Sequence, residues 1–181
     1  RGILHEEMPR QDHNGRVNGF QLWVNLPKAQ KMAHPQYQEV TSQSIPQIDH
    51  PGSHVKLIAG KIENTAGPIT AIAANPLYID LSLDNHSVFT QNTPGEDTVF
   101  AYIFEGRCSF SKDGEIVRAT QLVHLDKGTQ VKIFSDTGVR LILVSGTPFG
   151  EPIAPYGPFV MNTQDEIKQA LKDLREGTFV K

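Results

Sequence analysis

A chain of 181 residues, 38% hydrophobic and 20% charged, has ordinary globular composition and is long enough for one large domain or two small ones with a real core. The formal net charge is -3 and no basic block occurs, so there is no electrostatic reason to expect direct nucleic-acid binding. A single cysteine, Cys108, excludes an intrachain disulfide and fits a reducing compartment, and no run of about 18 apolar residues offers a membrane-spanning helix.

In chain order, the opening Arg1-Gly-Ile-Leu-His5 carries neither an initiator Met nor a signal-peptide pattern, so the first residues of the gene product are expected to be absent. Residues 20–26 (FQLWVNL) form an apolar run that stops at Pro27 and reads as a strand, with Phe20 and Trp23 as core or pocket wall. Residues 27–51 hold Pro27, Pro35, Pro46 and Pro51 in a polar, Gln-rich stretch, which makes this the expected domain junction. Strand patterns follow at 55–59, closed by Gly60, and at 77–83, which alternates with a period of two. They recur at 98–104, 108–111, 121–125, 130–134 and 140–145. Turn chemistry separates them at Glu105-Gly106, Lys112-Asp113-Gly114, Asp126-Lys127-Gly128 and Asp136-Thr137-Gly138. Short, closely spaced strands of this kind predict a sandwich or barrel, not βαβ units.

One segment departs from the pattern. Thr163 followed three residues later by Glu166 reads as a capping box, and Ile167, Ala170, Leu171 and Leu174 recur at helical spacing until Gly177. This predicts a C-terminal helix of about three turns whose apolar stripe docks on the barrel.

The candidate chemistry starts with His5 and Glu7. Two residues apart, they point to one face of an extended strand and can offer an imidazole nitrogen and a carboxylate oxygen to one metal ion. Such a set suits iron, manganese, copper or zinc better than calcium, and it needs further protein ligands. His13, His34 and His50 lie in polar, turn-rich surroundings, His54 and His86 flank strands, and His124 falls between apolar neighbours as a core or inward-facing residue. Cys108 has no charge cluster beside it to activate a thiolate, and neither a G-x-S-x-G nor a glycine-rich phosphate motif occurs.

The long β region resembles a cupin pattern in its turn glycines but not in its ligands. Asn85-His-Ser-Val-Phe-Thr90, Tyr102-Ile-Phe-Glu-Gly106 and Leu125-Asp-Lys-Gly128 stand where a metal-binding cupin carries H-x-H, a glutamate and a further histidine. This barrel reads as a cupin without its metal, with Glu105 belonging to a turn.

Four blocks carry a more specific resemblance: Arg1-Gly-Ile-Leu-His-Glu-Glu-Met-Pro9; Gly19-Phe-Gln-Leu-Trp-Val-Asn-Leu26; Lys31-Met32 with Pro35-Gln-Tyr-Gln38; and Gly150-Glu-Pro-Ile153 with Tyr156-Gly-Pro-Phe-Val-Met-Asn-Thr163. In this order they closely resemble the pirin family, and the resemblance covers essentially the whole chain. It implies an all-β bicupin: an incomplete N-terminal cupin remnant with linker over 1–50, then a complete C-terminal cupin with its C-terminal helix over 51–181. It also implies an iron site (Fe2+) of three histidines and one glutamate in the N-terminal barrel, to which His5 and Glu7 contribute as metal ligands. The H-P-H segment that supplies the other two histidines is not in this chain, so this chain is expected to hold iron weakly or not at all.

The same resemblance implies two functions for the intact protein. One is quercetin 2,3-dioxygenase-type opening of a flavonol-like small molecule, with Glu7 as the base that takes the flavonol proton. The other is a non-enzymatic regulatory protein acting on a protein partner, as a transcription cofactor does. The truncated chain is expected to be inactive, to form a homodimer that covers exposed strand edges, and to lie in the cytoplasm, or in the nucleus of a eukaryote.

Overall fold

The structure, a computed structural model, describes residues 2–180. Arg1, which opens the first block of resemblance, lies outside the described residues. The strands are β1 (Gln47–His50), β2 (Ser53–Ala59), β3 (Lys61–Ile62), β4 (Thr65–Ala66), β5 (Leu77–Leu83), β6 (Ser87–Asn92) and β7 (Thr98–Cys108), followed by β8 (Val117–Arg118), β9 (Gln121–Leu125), β10 (Gln130–Ser135), β11 (Val139–Gly146), β12 (Ala154–Tyr156) and β13 (Phe159–Met161). One α-helix, α1 (Gln164–Arg175), follows them. The described residues cluster into two compact units, one of Gln38–Pro148 and one drawn from Arg1–Tyr37 and Phe149–Lys181.

Gln38–Pro148 is a cupin-type double sheet that does not close into a barrel. A seven-stranded antiparallel sheet runs β1-β2-β5-β11-β7-β8, with β9 also pairing β7. A two-stranded sheet of β6 and β10 faces it, tied to it by a bridge between Ser109 and Phe134. Period-two alternation decides which side chains enter: in β5, Leu77, Ile79, Leu81 and Leu83 are buried while Tyr78, Asp80 and Ser82 are half-buried. They meet Val55, Leu57, Ile103, Leu141 and Leu143 from the large sheet and Phe89, Val131 and Ile133 from the small one. Each such aliphatic side chain, fully buried, contributes about 1.5–3 kcal/mol against leaving it in water.

Two expectations about strands are corrected here. Glu105-Gly106 is not a turn, because β7 runs through it as one strand of 11 residues. The register against β11 jumps from Arg140 opposite Glu105 to Leu141 opposite Ile103, so Phe104 is the extra residue of a β-bulge. Gly106 permits it: its φ is 77°, and a Cβ there would stand 2.3 Å from the Gly138 carbonyl oxygen. Residues 108–111 accordingly form no separate strand; Cys108 ends β7. The second correction is 20–26, which forms no strand among the described residues. An alternating apolar run becomes a strand only when another edge pairs with it, and here Phe20, Trp23 and Leu26 are exposed.

The other unit is built round a hairpin and the helix. β12 and β13 pair antiparallel, and α1 packs against both with Ile167 buried. The capping box predicted from Thr163 and Glu166 is formed: Thr163 Oγ1 accepts from Glu166 N at 3.2 Å, and Glu166 Oε2 accepts from Thr163 N at 2.8 Å. Gly177, with φ 70°, ends the last turn as expected. The stripe of α1 thus finds the β12–β13 hairpin within its own unit.

Cys108 lies inside the double sheet, 2% exposed, and burial pushes its thiol up to about 11. A thiol reagent at neutral pH should leave Cys108 unmodified in the native protein and label it fully in denaturant; fast native labelling would contradict this burial. Thr163→Ala should lower unfolding stability by about 1 kcal/mol, measured by chemical denaturation, with Thr163→Ser losing little.

Candidate metal centre

His5 and Glu7 lie in an irregular, exposed segment and not on a strand. The expectation that one strand face presents both is therefore not met, for the same lack of a pairing edge that affects 20–26. A turn organises this region instead. Asp12 N donates to Arg16 O at 2.8 Å, the Asp12 carboxylate accepts from Asn14 N and Arg16 N at 2.8 and 2.9 Å, and Gly15 takes φ 74°. The chain folds back about that turn, so that Gln21 Nε2 donates to Glu7 Oε1 at 2.6 Å. Glu7 thus has an amide partner that inspection of the H-x-E spacing did not suggest.

An iron site needs more donors than this pair. Among the described residues, no group of three or more His, Cys, Asp or Glu side chains comes together as a metal site. His5 and Glu7 supply one nitrogen and one carboxylate, which is short of the three or more protein ligands such a centre requires. The residues present do not complete such a site.

The positions of the second barrel are equally dispersed. His86 sits in the turn between β5 and β6 with φ 55°, and Glu105 is exposed and pairs with Arg140 at 3.5 Å. His124 points outward, against the expectation of an inward-facing residue, because Val123 and Leu125 take the inner face of β9. His13 and His34 are exposed, and His50 lies 4.0 Å from Glu63.

His54 has the strongest electrostatic setting of any histidine here. Pro51-Gly52 turns β1 into β2, with Gly52 at φ 77°, and this register sets Asp49 opposite His54. His54 Nδ1 bonds Asp49 Oδ1 at 2.7 Å, and its Nε2 lies 3.8 Å from Asp84 Oδ2. The Asp49 hydrogen bond, with help from the charges of Asp49 and Asp84, raises the pKa of His54 above the usual imidazole value. The Pro-Gly turn, five residues of D-H-P-G-S before His54, is the signal from which this pairing was readable.

Asn162, next to the N-cap Thr163, holds the start of α1 in place. It is 6% exposed, donates from Nδ2 to Glu151 Oε2 at 3.1 Å and to Pro152 O at 3.0 Å, and leaves Oδ1 buried without a partner. Glu151 Oε2 also accepts from Lys28 N at 2.6 Å, and Glu166 Oε2 accepts from Asn162 N at 3.0 Å. One carboxylate pair therefore ties the 28–31 turn, the hairpin and the helix start together. Beside it, Lys31 Nζ donates to Asn25 Oδ1 and Val160 O at 2.7 and 2.9 Å; burial lowers its pKa, against the opposing charges of Glu151 and Glu166. The same unit carries an open apolar groove of about 890 Å³, walled by Leu22, Trp23, Leu26, Phe159, Leu174 and Phe179.

Residues 78–180 match the pirin C-terminal cupin domain. A pirin-like protein of Caulobacter vibrioides is 41% identical over 181 residues, covering 99% of this chain and 64% of that protein. Pirin-1 of Arabidopsis thaliana is 36% identical over 178 residues, with 96% and 61% covered. A crystal structure of quercetin 2,3-dioxygenase from Acinetobacter baumannii superposes with a TM-score of 0.81 at 31% identity, covering 87% of this chain and 55% of that one. The chain thus spans less than two thirds of the length of these relatives. Among the described residues, no helix is long and apolar enough to cross a membrane.

The His54 pair carries a pH dependence whose sign follows from the raised pKa. Its stabilisation is complete below the unfolded imidazole pKa, about 6.5, and is lost as pH rises through the higher folded value. Titration of the ring by NMR should place His54 above the usual imidazole value of about 6.5, and Asp49→Asn should lower it. An unchanged His54 titration in that variant would remove the hydrogen bond as the cause.

Proposed function

The chain belongs to the pirin family of cupin proteins, and on that premise we propose that it carries half of the family's metal-ligand set, with dioxygenase chemistry confined to a protein that supplies the other half. The observation that carries this reading is the donor count: His5 and Glu7 are present, and no third ligand joins them among the described residues. Residues 1–50 are then the remnant of the N-terminal, metal-binding cupin with its linker, and 51–181 the C-terminal cupin. The family's metal would be iron, which His5 and Glu7 would help to hold in a completed site and which would supply Lewis-acid chemistry there.

Glu7 is the residue of this chain assigned a proton-transfer role. In a completed site its carboxylate would take the hydroxyl proton of a flavonol-like substrate, and in this chain the Gln21 amide donates to its Oε1. The relation to the Acinetobacter baumannii quercetin 2,3-dioxygenase supports the substrate class. A regulatory, non-enzymatic role is the second reading. It is favoured by the apolar groove, where Trp23 and Leu26 are exposed on a surface that a protein partner can cover. Separately from that role, we propose that this chain forms a homodimer, with the same exposed surface covered by the second copy.

The purified chain, loaded anaerobically with Fe2+ and desalted, should retain well under one iron per chain by elemental analysis and should not deplete quercetin in air. Stoichiometric iron lost on His5→Ala, together with quercetin turnover, would overturn the reading of an incomplete site. Sedimentation should show a concentration-dependent dimer that Trp23→Glu disperses.

A further inference from the structure

A second cavity, of about 480 Å³, lies wholly within Gln38–Pro148, between the loop 66–77 and the segment 91–97. Its wall is mixed, with Asn75, Gln91, Asn92 and Asp97 standing beside Ile69 and Leu77, and Lys61 at the rim. None of these residues belongs to the His5–Glu7 pair or to the proposed chemistry.

Asp97 is the unusual member. It is 7% exposed, and its backbone N–H donates to Pro94 O at 3.1 Å while Thr147 Oγ1 donates to its Oδ1 at 3.2 Å. Oδ2 accepts no hydrogen bond from the described residues, and no Lys, Arg or His pairs with the carboxylate among them. An amide would satisfy Thr147 equally well, so that bond does not call for a charge at this position. Asp97 lines the cavity, and its second oxygen, not sealed from solvent, is open to a cationic donor.

The wall around it is pinned in place. Gly67 N and Ile69 N donate to Gly60 O and Ile58 O at 2.9 and 3.2 Å, and Thr147 N donates to Ala74 O at 2.8 Å. Gln38 clamps the middle of the loop, donating to Thr70 O at 2.9 Å and accepting from Thr70 N at 3.1 Å. Two wall residues that are not glycine hold left-handed backbone, Ala71 at φ 59° and Asn75 at φ 46°. Such conformations persist where the surroundings over-determine them, and they gather at ligand clamps. At the rim, Gln91 Nε2 and Asn92 Oδ1 are occupied by Asn92 O and Gln130 Nε2, which leaves Gln91 Oε1 to accept and Asn92 Nδ2 to donate.

We propose that this cavity is a binding site for a small organic cation, a primary amine or guanidinium that also carries hydroxyl or carboxylate groups, held by the Asp97 carboxylate. The cationic head donates to Asp97 Oδ2 in a charge-assisted hydrogen bond. The polar tail meets the free amide atoms of Gln91 and Asn92, and the exposed Lys61 ammonium at the rim suits an anionic tail.

The test is an NMR titration of the whole chain with ethanolamine and with arginine, against ethylene glycol as neutral isostere and glycolate as anion. With ligand up to about 10 mM, the millimolar range expected of so small a molecule, both cations should shift the amides of Thr70, Asn75, Asn92 and Asp97 saturably. The glycol and glycolate should leave them in place. Asp97→Asn keeps the Thr147 bond and should weaken cation binding by at least about tenfold. No saturable shift with either cation, equal binding of the glycol, or full affinity in folded Asp97→Asn would each overturn the proposal. The comparison of cation with isostere is made on the unaltered chain, so it decides the matter even where the variant fails to fold.

Discussion

Strand β11 is hydrogen-bonded on both sides, to β5 along Val139–Ser145 and to β7 along Val139–Gly146, and the order of Gln38–Pro148 depends on that double pairing. It fixes the register of three strands at once. A slip of one residue would send Leu81, Ile103, Leu141 and Leu143 to the opposite face and break the core they form with Phe89 and Ile133. The bulge at Phe104 is the local adjustment this pairing allows. It lets the outer part of β7 change register, and the Arg140 guanidinium, 4.9 Å over the Phe104 ring, also reaches Asp80 and Glu105 at 3.6 and 3.5 Å. These exposed pairs contribute little compared with the core beneath them.

Pairing also explains what could be read from the residues and what could not. Leu77–Leu83 and Gln121–Leu125 were legible because period-two alternation is a local property, and Thr163 with Glu166 because a capping box is local too. Residues 20–26 carry as strong an apolar pattern, yet they make no ladder, since a strand requires an edge that lies elsewhere in the sequence. β6 escaped notice for the converse reason: only Phe89 of its six residues is buried, so Ser87–Asn92 is a strand by virtue of its partner β10, not of its own pattern. Glu105-Gly106 looked like a turn because a glycine with positive φ serves turns and bulges alike, and only the opposite strand distinguishes the two.

The candidate sites divide along the same line. His5 and Glu7 were found through the residues around them, and spacing placed them correctly as neighbours in sequence. Spacing could not show whether further ligands converge on them, because convergence is a tertiary property; the structure brings Gln21 to Glu7 instead. Asp97 had no signature at all. It stands in a Pro-Gly-Glu-Asp turn where a carboxylate is ordinary, and its interest comes from burial and from what it lacks, neither of which a single sequence expresses.

The two halves of the chain therefore pose opposite problems in chemistry. At His5 and Glu7, the side chains proposed as metal ligands are exposed, so water solvates both and neither demands a partner ion. At Asp97 the residue is 7% exposed within a closely bonded wall, with Oδ1 held by Thr147 and Oδ2 accepting nothing from the described residues. On the proposal above, that second oxygen is where a cation entering the cavity is held, which would make this cupin a binding domain in its own right.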